Sequence, residues 1–131
     1  MTMSQENAEV VRKLFAALGR EDFPAALQLF DRGVLWSTTE GGDYHGIEGV
    51  TASYVEWMEP WKEHDLEAEE FIDCGDDQVL AVIQITARGE HSGIEIDQRF
   101  FHLYTVLEGM ISRMIEYPDR ASALEAAGAK D

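Results

Sequence analysis

The sequence predicts an α+β protein, a curved antiparallel sheet with helices packed on its concave face. Two observations predict this class. In the first half of the chain, apolar residues recur at spacings of three and four, as on the buried face of an amphipathic helix. From residue 66 onward, strand-like runs alternate with short turns that contain glycine, and closely connected strands favour an antiparallel meander.

Two helices are expected to form a hairpin at the start of the chain. Residues 4–18 carry one apolar face, with Ser4 as a candidate N-cap. Asp22 is placed to cap a second, shorter helix, in which Pro24 falls in the first turn, where its missing N–H costs little. The apolar side of this second helix would be Leu27, Leu29 and Phe30.

A third helix, predicted over residues 47–62, follows a short strand at 34–36 and carries a stripe of large aromatic side chains. Tyr and Trp each bring a polar group that needs a partner, so an ordinary core stripe would use them sparingly. We therefore interpret the stripe as part core and part pocket wall. Its aromatic members are Tyr54, Trp57 and Trp61.

Four strands and a final helix are predicted in the second half of the chain. Asp119 is placed to cap the last helix, residues 120–127, and Gly128 suits its C-terminal stop. The predicted strands cover residues 66–73, 78–89, 93–107 and 110–117.

Composition excludes several functions. A chain of 131 residues is long enough for a single domain spanning 1–131, and its one cysteine, Cys74, cannot form an intrachain disulfide. The formal charge of −16 repels phosphate backbones, so we expect no nucleic-acid partner.

There is no signal-peptide pattern and no apolar run of about 18 residues, so we expect a cytoplasmic protein with no membrane association.

A series of short motifs follows the predicted elements along the chain. They lie at residues 34–36, 44–50, 75–77, 88–89, 92–93, 97–102, 108–111 and 117–120. In element order and in these motifs, the chain resembles the SnoaL-like branch of the NTF2-like superfamily, which implies a cone-shaped α+β fold. The superfamily includes ketosteroid isomerases, limonene epoxide hydrolases, polyketide cyclases, scytalone dehydratases and non-enzymatic binding or dimerisation domains, so the fold leaves the reaction open.

One histidine and one glutamate, His102 and Glu116, stand among apolar and aromatic residues in the last two strands. Whether they share a face depends on the turn at Gly109. A three-residue loop would pair His102 with Met114, Tyr104 with Ser112 and Phe100 with Glu116, and would put His102 and Glu116 on one face. A two-residue loop would place Glu116 across from Phe101 and separate it from His102. The resemblance favours the first register.

In that register the shared face would line a mostly apolar cavity with a few polar groups, which is typical of small-molecule sites. We expect apolar surroundings to raise the pKa of Glu116 toward a value useful for proton transfer, with His102 as its acid–base partner and no metal or organic cofactor. The ligand would be a small apolar molecule. The other expected lining residues are Ser37, Tyr54, Trp57, Trp61, Phe100, Tyr104 and Met114.

The resemblance both supports and limits this hypothesis. The epoxide hydrolases hold a catalytic aspartate at the position matching Glu116, and the isomerases hold a hydrogen-bonding acid at that matching His102. However, Ser37 stands where the isomerases hold their catalytic carboxylate, and the strand over 78–88 lacks the Arg-x-Asp of the epoxide hydrolases.

Less specific roles remain open for the same residues. His102 could be a core histidine bonded to Tyr54, Tyr104 or backbone, and Glu116 could face solvent or pair with an arginine. The alternative function is a non-catalytic ligand-binding or dimerisation module. The opposite sheet face is too apolar for a small monomer, so a homodimer is expected through that face. Its residues are Arg99, Phe101, Leu103, Arg113, Ile115 and Tyr117.

Overall fold

A computed structural model describes residues 3–39, 41–59, 61–75, 77–89 and 91–128, with the side chains of residues 3, 4 and 61–63 left out. Four helices and six strands form in these ranges. The helices are α1 (Met3–Gly19), α2 (Phe23–Leu27), α3 (Gly46–Met58) and α4 (Arg120–Ala126). The strands are β1 (Phe30–Thr38), β2 (Gly42–His45), β3 (Trp61–Gly75), β4 (Gln78–Gly89), β5 (Glu95–Leu107) and β6 (Met110–Tyr117).

The six strands form one curled, unclosed sheet in the order β2-β1-β6-β5-β4-β3. Neighbouring strands are antiparallel except for β1 and β6, which run parallel because a helix-containing crossover separates them in the chain. The predicted α+β class with a curved sheet is confirmed. The β3–β6 meander matches the prediction, and Asp22 and Asp119 cap α2 and α4 as expected.

Several boundaries differ from the sequence prediction. Phe30, assigned to the second helix, instead begins β1, and residues 42–45, for which no strand was predicted, form the short edge strand β2. The third helix ends at Met58, before the proline at position 60, which stops helices because it has no N–H to donate. Trp61 consequently belongs to β3, where its backbone pairs with Gly89.

The main core lies between α1 and the inner face of the sheet. Phe15 of α1 meets Tyr104 of β5 edge-on at 6.2 Å and Phe71 of β3 at 5.9 Å between ring centroids. A second, smaller cluster lies on the outer face, where Ala123 of α4 packs near Leu103. The expectation that all helices pack on one face therefore fails for α4, because the outer face is apolar enough to bind a helix of its own.

The three-residue loop that the resemblance favours is wrong for the β5–β6 hairpin. Its turn is the two-residue Glu108–Gly109, both at positive φ (51° and 78°), and Leu107 pairs with Met110. A β-bulge at Ser112 then adds one residue to β6, so His102 lies directly opposite Glu116 and Tyr104 opposite Met114. The predicted pairs were wrong by two residues, but His102 and Glu116 still share the inner face. The Ser112 hydroxyl donates to the Thr105 carbonyl at 3.2 Å.

Candidate functional site

A cavity of about 540 Å³ lies inside the curled sheet, within the size range of small-molecule sites. Its wall draws on α1, α2 and α3 and on all six strands, and aromatic rings contribute much of it. The lining residues are Leu18, Gly19, Glu21, Phe23, Trp36, Thr38, Gly41, Tyr44, Ser53, Tyr54, Glu56, Trp57, Met58, His64, Asp65, Leu66, Ile85, Ile96, Gln98, Phe100, His102 and Glu116.

Two polar side chains of this wall form a close pair. His102 Nε2 lies 2.7 Å from Glu116 Oε2, and the two side chains are 13% and 10% exposed. The His102 ring is also held edge-on against Trp36 at 6.0 Å between centroids. A short contact between two nearly buried, titratable groups at an apolar cavity is the arrangement from which acid–base sites are built.

The second carboxylate oxygen of Glu116 is bound by Thr39, just after β1. The Thr39 N–H and hydroxyl both donate to Glu116 Oε1, at 3.0 and 2.8 Å. Burial by itself raises the pKa of this carboxyl group, but the hydrogen bond and charge of His102 and the two Thr39 donors together lower the pKa from 4.5 to about 2. The expected rise in the pKa of Glu116 is therefore wrong: four stabilising interactions outweigh desolvation.

An ionised Glu116 determines which imidazole nitrogen carries hydrogen. Because the carboxylate only accepts, Nε2 of His102 must donate to it, and in the neutral ring Nδ1 then holds the lone pair. That nitrogen lies 3.4 Å from the hydroxyl of Tyr104, whose pKa burial raises well above its usual value. The contact is long and is therefore a weak hydrogen bond.

Tyr54 of α3 presents a second polar group to the cavity. Its ring packs against Trp36 with centroids 5.4 Å apart, and burial raises the pKa of its phenol, which therefore stays neutral. In the described ranges, no hydrogen bond to a protein group contributes to the pKa of this phenol. Tyr54 is thus available to donate to, or accept from, a ligand.

The rim between β2 and α3 is held by one side-chain bond. The Tyr44 hydroxyl donates to Glu56 Oε2 at 2.7 Å, and both residues line the cavity. Trp57, the next residue on α3, meets His64 of β3 edge-on at 6.1 Å. These two contacts join α3 to opposite edges of the sheet across the cavity.

The structure brings five of the predicted site residues to the cavity wall and leaves three away from it. Tyr104 and Met114 are 1% and 0% exposed and belong to the core, because α1 packs over their part of the hairpin. Ser37 points away since it alternates with Trp36 and Thr38 along β1, and it bonds Asp43 at 2.7 Å. Those that line the wall are Tyr54, Trp57, Phe100, His102 and Glu116.

Trp61 was placed on the aromatic stripe of a longer third helix. Since α3 ends at Met58, the residue is not on that stripe, and its side chain lies outside the described part of the structure.

Several residues of the site were missed. Trp36 could have been found, because it is the neighbour of Ser37 in β1 and successive residues of a strand point to opposite faces. Choosing the other face of β1 as the inner one would have placed Trp36, and not Ser37, in the cavity wall. Tyr44 and His64 also line the cavity, although no sequence pattern singled them out. Thr39 gave no signal: it is 77 positions from Glu116, and only the β1–β6 pairing brings it there.

Two further observations bear on function. In the ranges that the structure covers, no group of three or more His, Cys, Asp or Glu residues is arranged to hold a metal ion. None of the helices described above is both long enough and apolar enough to cross a membrane.

A family model for the SnoaL-like domain matches residues 11–114. Solved structures also match. Bal32a, from a soil-derived mobile gene cassette, has a TM-score of 0.80 at 22% identity, covering 88% of this chain and 91% of that one. An NTF2-like protein of Burkholderia pseudomallei K96243 scores 0.78 at 21% identity, covering 98% and 100%.

A third structure is that of TerC, co-crystallised with polyporic acid, which scores 0.76 at 21% identity over 95% of this chain and 99% of that one. At these identities the similarity shows the fold, and the predicted NTF2-like cone is confirmed. No curated protein matches the chain.

Proposed function

Because the chain belongs to the SnoaL-like domain family, we propose that its cavity binds a small, cyclic, largely apolar molecule and that His102 performs acid–base chemistry on it. The observation that carries the proposal is the 2.7 Å His102–Glu116 pair, nearly buried in the wall of an aromatic cavity. TerC, of the same fold, was co-crystallised with a small molecule, which supports a ligand-binding cavity here.

Glu116 has a different role from the one predicted. A carboxyl group with a pKa of about 2 is a weak base, so Glu116 is not the proton acceptor. It holds the hydrogen on Nε2 of His102, fixes the ring orientation and stabilises the imidazolium that forms when Nδ1 takes a proton. This is the role an aspartate plays beside a catalytic histidine in hydrolases. Glu116 is thus a positioning residue and His102 the acid–base group.

In the proposed reaction, a bound ligand takes the place of the Tyr104 hydroxyl beside Nδ1 of His102. The ligand transfers a proton to Nδ1, and the imidazole ring then returns that proton to a different atom of the ligand. Isomerisation and ring closure both need such a transfer, and neither needs a net change in protons. Tyr54 is placed to bond a ligand oxygen on which charge develops, and its neutral phenol makes it a donor.

A second candidate is a non-catalytic binder. One observation favours it: both nitrogens of His102 and both oxygens of Glu116 already have partners within the protein. A fully bonded polar network can serve only to specify the core. The two candidate functions predict different effects on turnover when the His102 side chain is replaced.

The test begins with a thermal-shift screen of steroids, terpene epoxides and polyketides, followed by binding and turnover measurements. We expect His102→Gln to lower turnover by about 100-fold or more while affinity changes by less than about fivefold. His91→Gln, in an exposed turn, is the matched control and should behave as wild type. Unchanged turnover in the His102 variant overturns the acid–base role; binding with no turnover in the wild type favours the binder.

We also propose a homodimer through the outer sheet face. The helix α4 covers Leu80 and Leu103 there, and it leaves Phe101, Ile115 and Tyr117 half-buried beside it. An apolar strip of this kind is typical of a subunit contact. Sedimentation velocity should show a dimer for the wild type and a folded monomer for Ile115→Lys. A monomeric wild type at micromolar concentration would exclude the dimer.

A further inference from the structure

The charge of the cavity wall is strongly one-sided. Of the lining side chains that the structure describes, four are carboxylates and none is a lysine or arginine. Glu116 lies deep in the wall beside His102. The other three are exposed and therefore lie on the solvent side of the cavity; we refer to Glu21, Glu56 and Asp65 as the mouth acids.

The mouth acids have no cationic partner among the side chains that the structure describes. In the described parts of the chain, none of the three forms an ion pair, and the Glu56 contact is with the neutral hydroxyl of Tyr44. Elsewhere on the surface, Glu69 and Glu70 pair with arginines at 2.7 Å. The mouth thus keeps negative charge that other surface positions neutralise.

The interior behind the mouth is rich in aromatic rings. Trp36 and Tyr54 pack at 52° to one another with centroids 5.4 Å apart, and Trp57 and Phe100 also line the space. The π face of each ring attracts a cation, and tryptophan attracts it most strongly.

These features favour one charge class of ligand. A carboxylate or phosphate would enter past like charges and find two histidines, His64 and His102, but no lysine or arginine in the described wall. A cation would be attracted by the mouth acids, by the rings and by the −16 charge of the whole chain.

Resting on the proposed ligand-binding function, we infer that the cavity takes a positively charged ligand, an organic amine or quaternary ammonium on a cyclic or aromatic body, in preference to uncharged or anionic molecules of the same shape.

The test uses three probes of one shape: phenyltrimethylammonium, its uncharged isostere tert-butylbenzene, and the anion benzenesulfonate. Binding to the full chain is followed by quenching of tryptophan fluorescence, since Trp36 and Trp57 line the cavity. We expect phenyltrimethylammonium to bind at least about tenfold more tightly than tert-butylbenzene, and benzenesulfonate to bind most weakly. The preference should shrink as salt rises, because the mouth acids are exposed.

Two variants locate the source of the preference. Glu56→Gln keeps an acceptor for Tyr44, and both it and Asp65→Asn should weaken phenyltrimethylammonium binding about two- to fivefold while leaving tert-butylbenzene unchanged. The matched control is Glu67→Gln, which removes the same charge from an exposed position outside the cavity lining. It should leave the binding of all three probes unchanged.

The outcomes separate this inference from the function on which it rests. If tert-butylbenzene or benzenesulfonate binds as well as the cation, the charge preference is refuted and the ligand-binding cavity stands. If the control variant weakens cation binding as much as the mouth variants, the mouth acids are not its cause and the inference fails. If none of the three probes binds, the ligand-binding proposal itself fails.

Discussion

The two ends of the β5–β6 hairpin carry the same strand pattern but differ in what they build. Near the turn, the inward residues Tyr104 and Met114 are fully buried beneath α1. Farther from the turn, Phe100, His102 and Glu116 point inward in the same alternation but line the cavity. The difference comes from what lies above the sheet: α1 fills the first region, while α3 only bridges the second. Helix placement, more than strand sequence, thus separates core from site.

The largest expected effect follows directly from this difference. Met114→Ala should lower the free energy of unfolding by about 2–5 kcal/mol, because it opens a hole in a closed core. Phe100→Ala removes a larger side chain, but from the wall of an open cavity. We therefore expect it to lower the free energy of unfolding by less, about 1–2 kcal/mol. Urea denaturation measures both. Equal losses would mean that the two ends of the hairpin are equally packed.

Glu116→Gln should lower the free energy of unfolding by about 2 kcal/mol at pH 7. The folded-state pKa, about 2, lies below the ordinary value of 4.5, so the carboxylate stabilises the fold above pH 4.5. This stabilisation is lost as the pH falls through that range toward 2, and the gap between wild type and variant should close with it. Urea denaturation from pH 7 to 3 is the measurement. A constant gap would show that charge is not what the variant loses.

Thr39→Ala should have a smaller effect, about 1 kcal/mol, since the Thr39 N–H still bonds the carboxylate. Its clearest consequence is a rise in the pKa of Glu116, because one of the groups that stabilise the ionised form is gone. Titration of the side-chain carboxyl carbon by NMR measures the rise. An unchanged pKa would show that the hydroxyl does not contribute.

The smallest expected change in stability, within about 0.5 kcal/mol, is that of Tyr44→Phe, which removes one exposed hydrogen bond. Because that bond joins β2 to α3 at the rim, amide exchange in β2 should become faster while exchange in the Met114 region stays the same. Hydrogen-exchange mass spectrometry resolves the two. Equal acceleration in both regions would mean that the rim and the core open together.

Most of the fold could be predicted because strand alternation and cap residues are local signals. The β3–β6 meander and the caps at Asp22 and Asp119 needed only neighbouring residues. The edge strand β2 could not be predicted in this way, since its four residues become a strand only by pairing with β1. The end of α3 was overestimated because the aromatic spacing continued past the proline.

Only part of the site could be predicted. The three-residue loop put His102 and Glu116 on one face, whereas the structure reaches that result with a two-residue turn and a bulge at Ser112, which the local sequence did not reveal. It did not reveal that α1 buries Tyr104 and Met114, which depends on tertiary packing. The pKa of Glu116 went wrong for a similar reason: apolar neighbours in the strand indicated desolvation, whereas Thr39, distant in the chain, supplies two donors.

The bulge at Ser112 also affects how relatives of this chain should be compared. Ser112 has no partner in the β5–β6 ladder, so a relative without it could form the same Tyr104–Met114 and His102–Glu116 pairs with a straighter β6. Alignment of such a relative with this chain would need a gap of one residue at this position. An ungapped comparison would then shift everything after it by one place and assign the role of Glu116 to an outward-facing neighbour. In a relative, the residue equivalent to Glu116 should be sought opposite the residue equivalent to His102, not at a fixed distance along the chain.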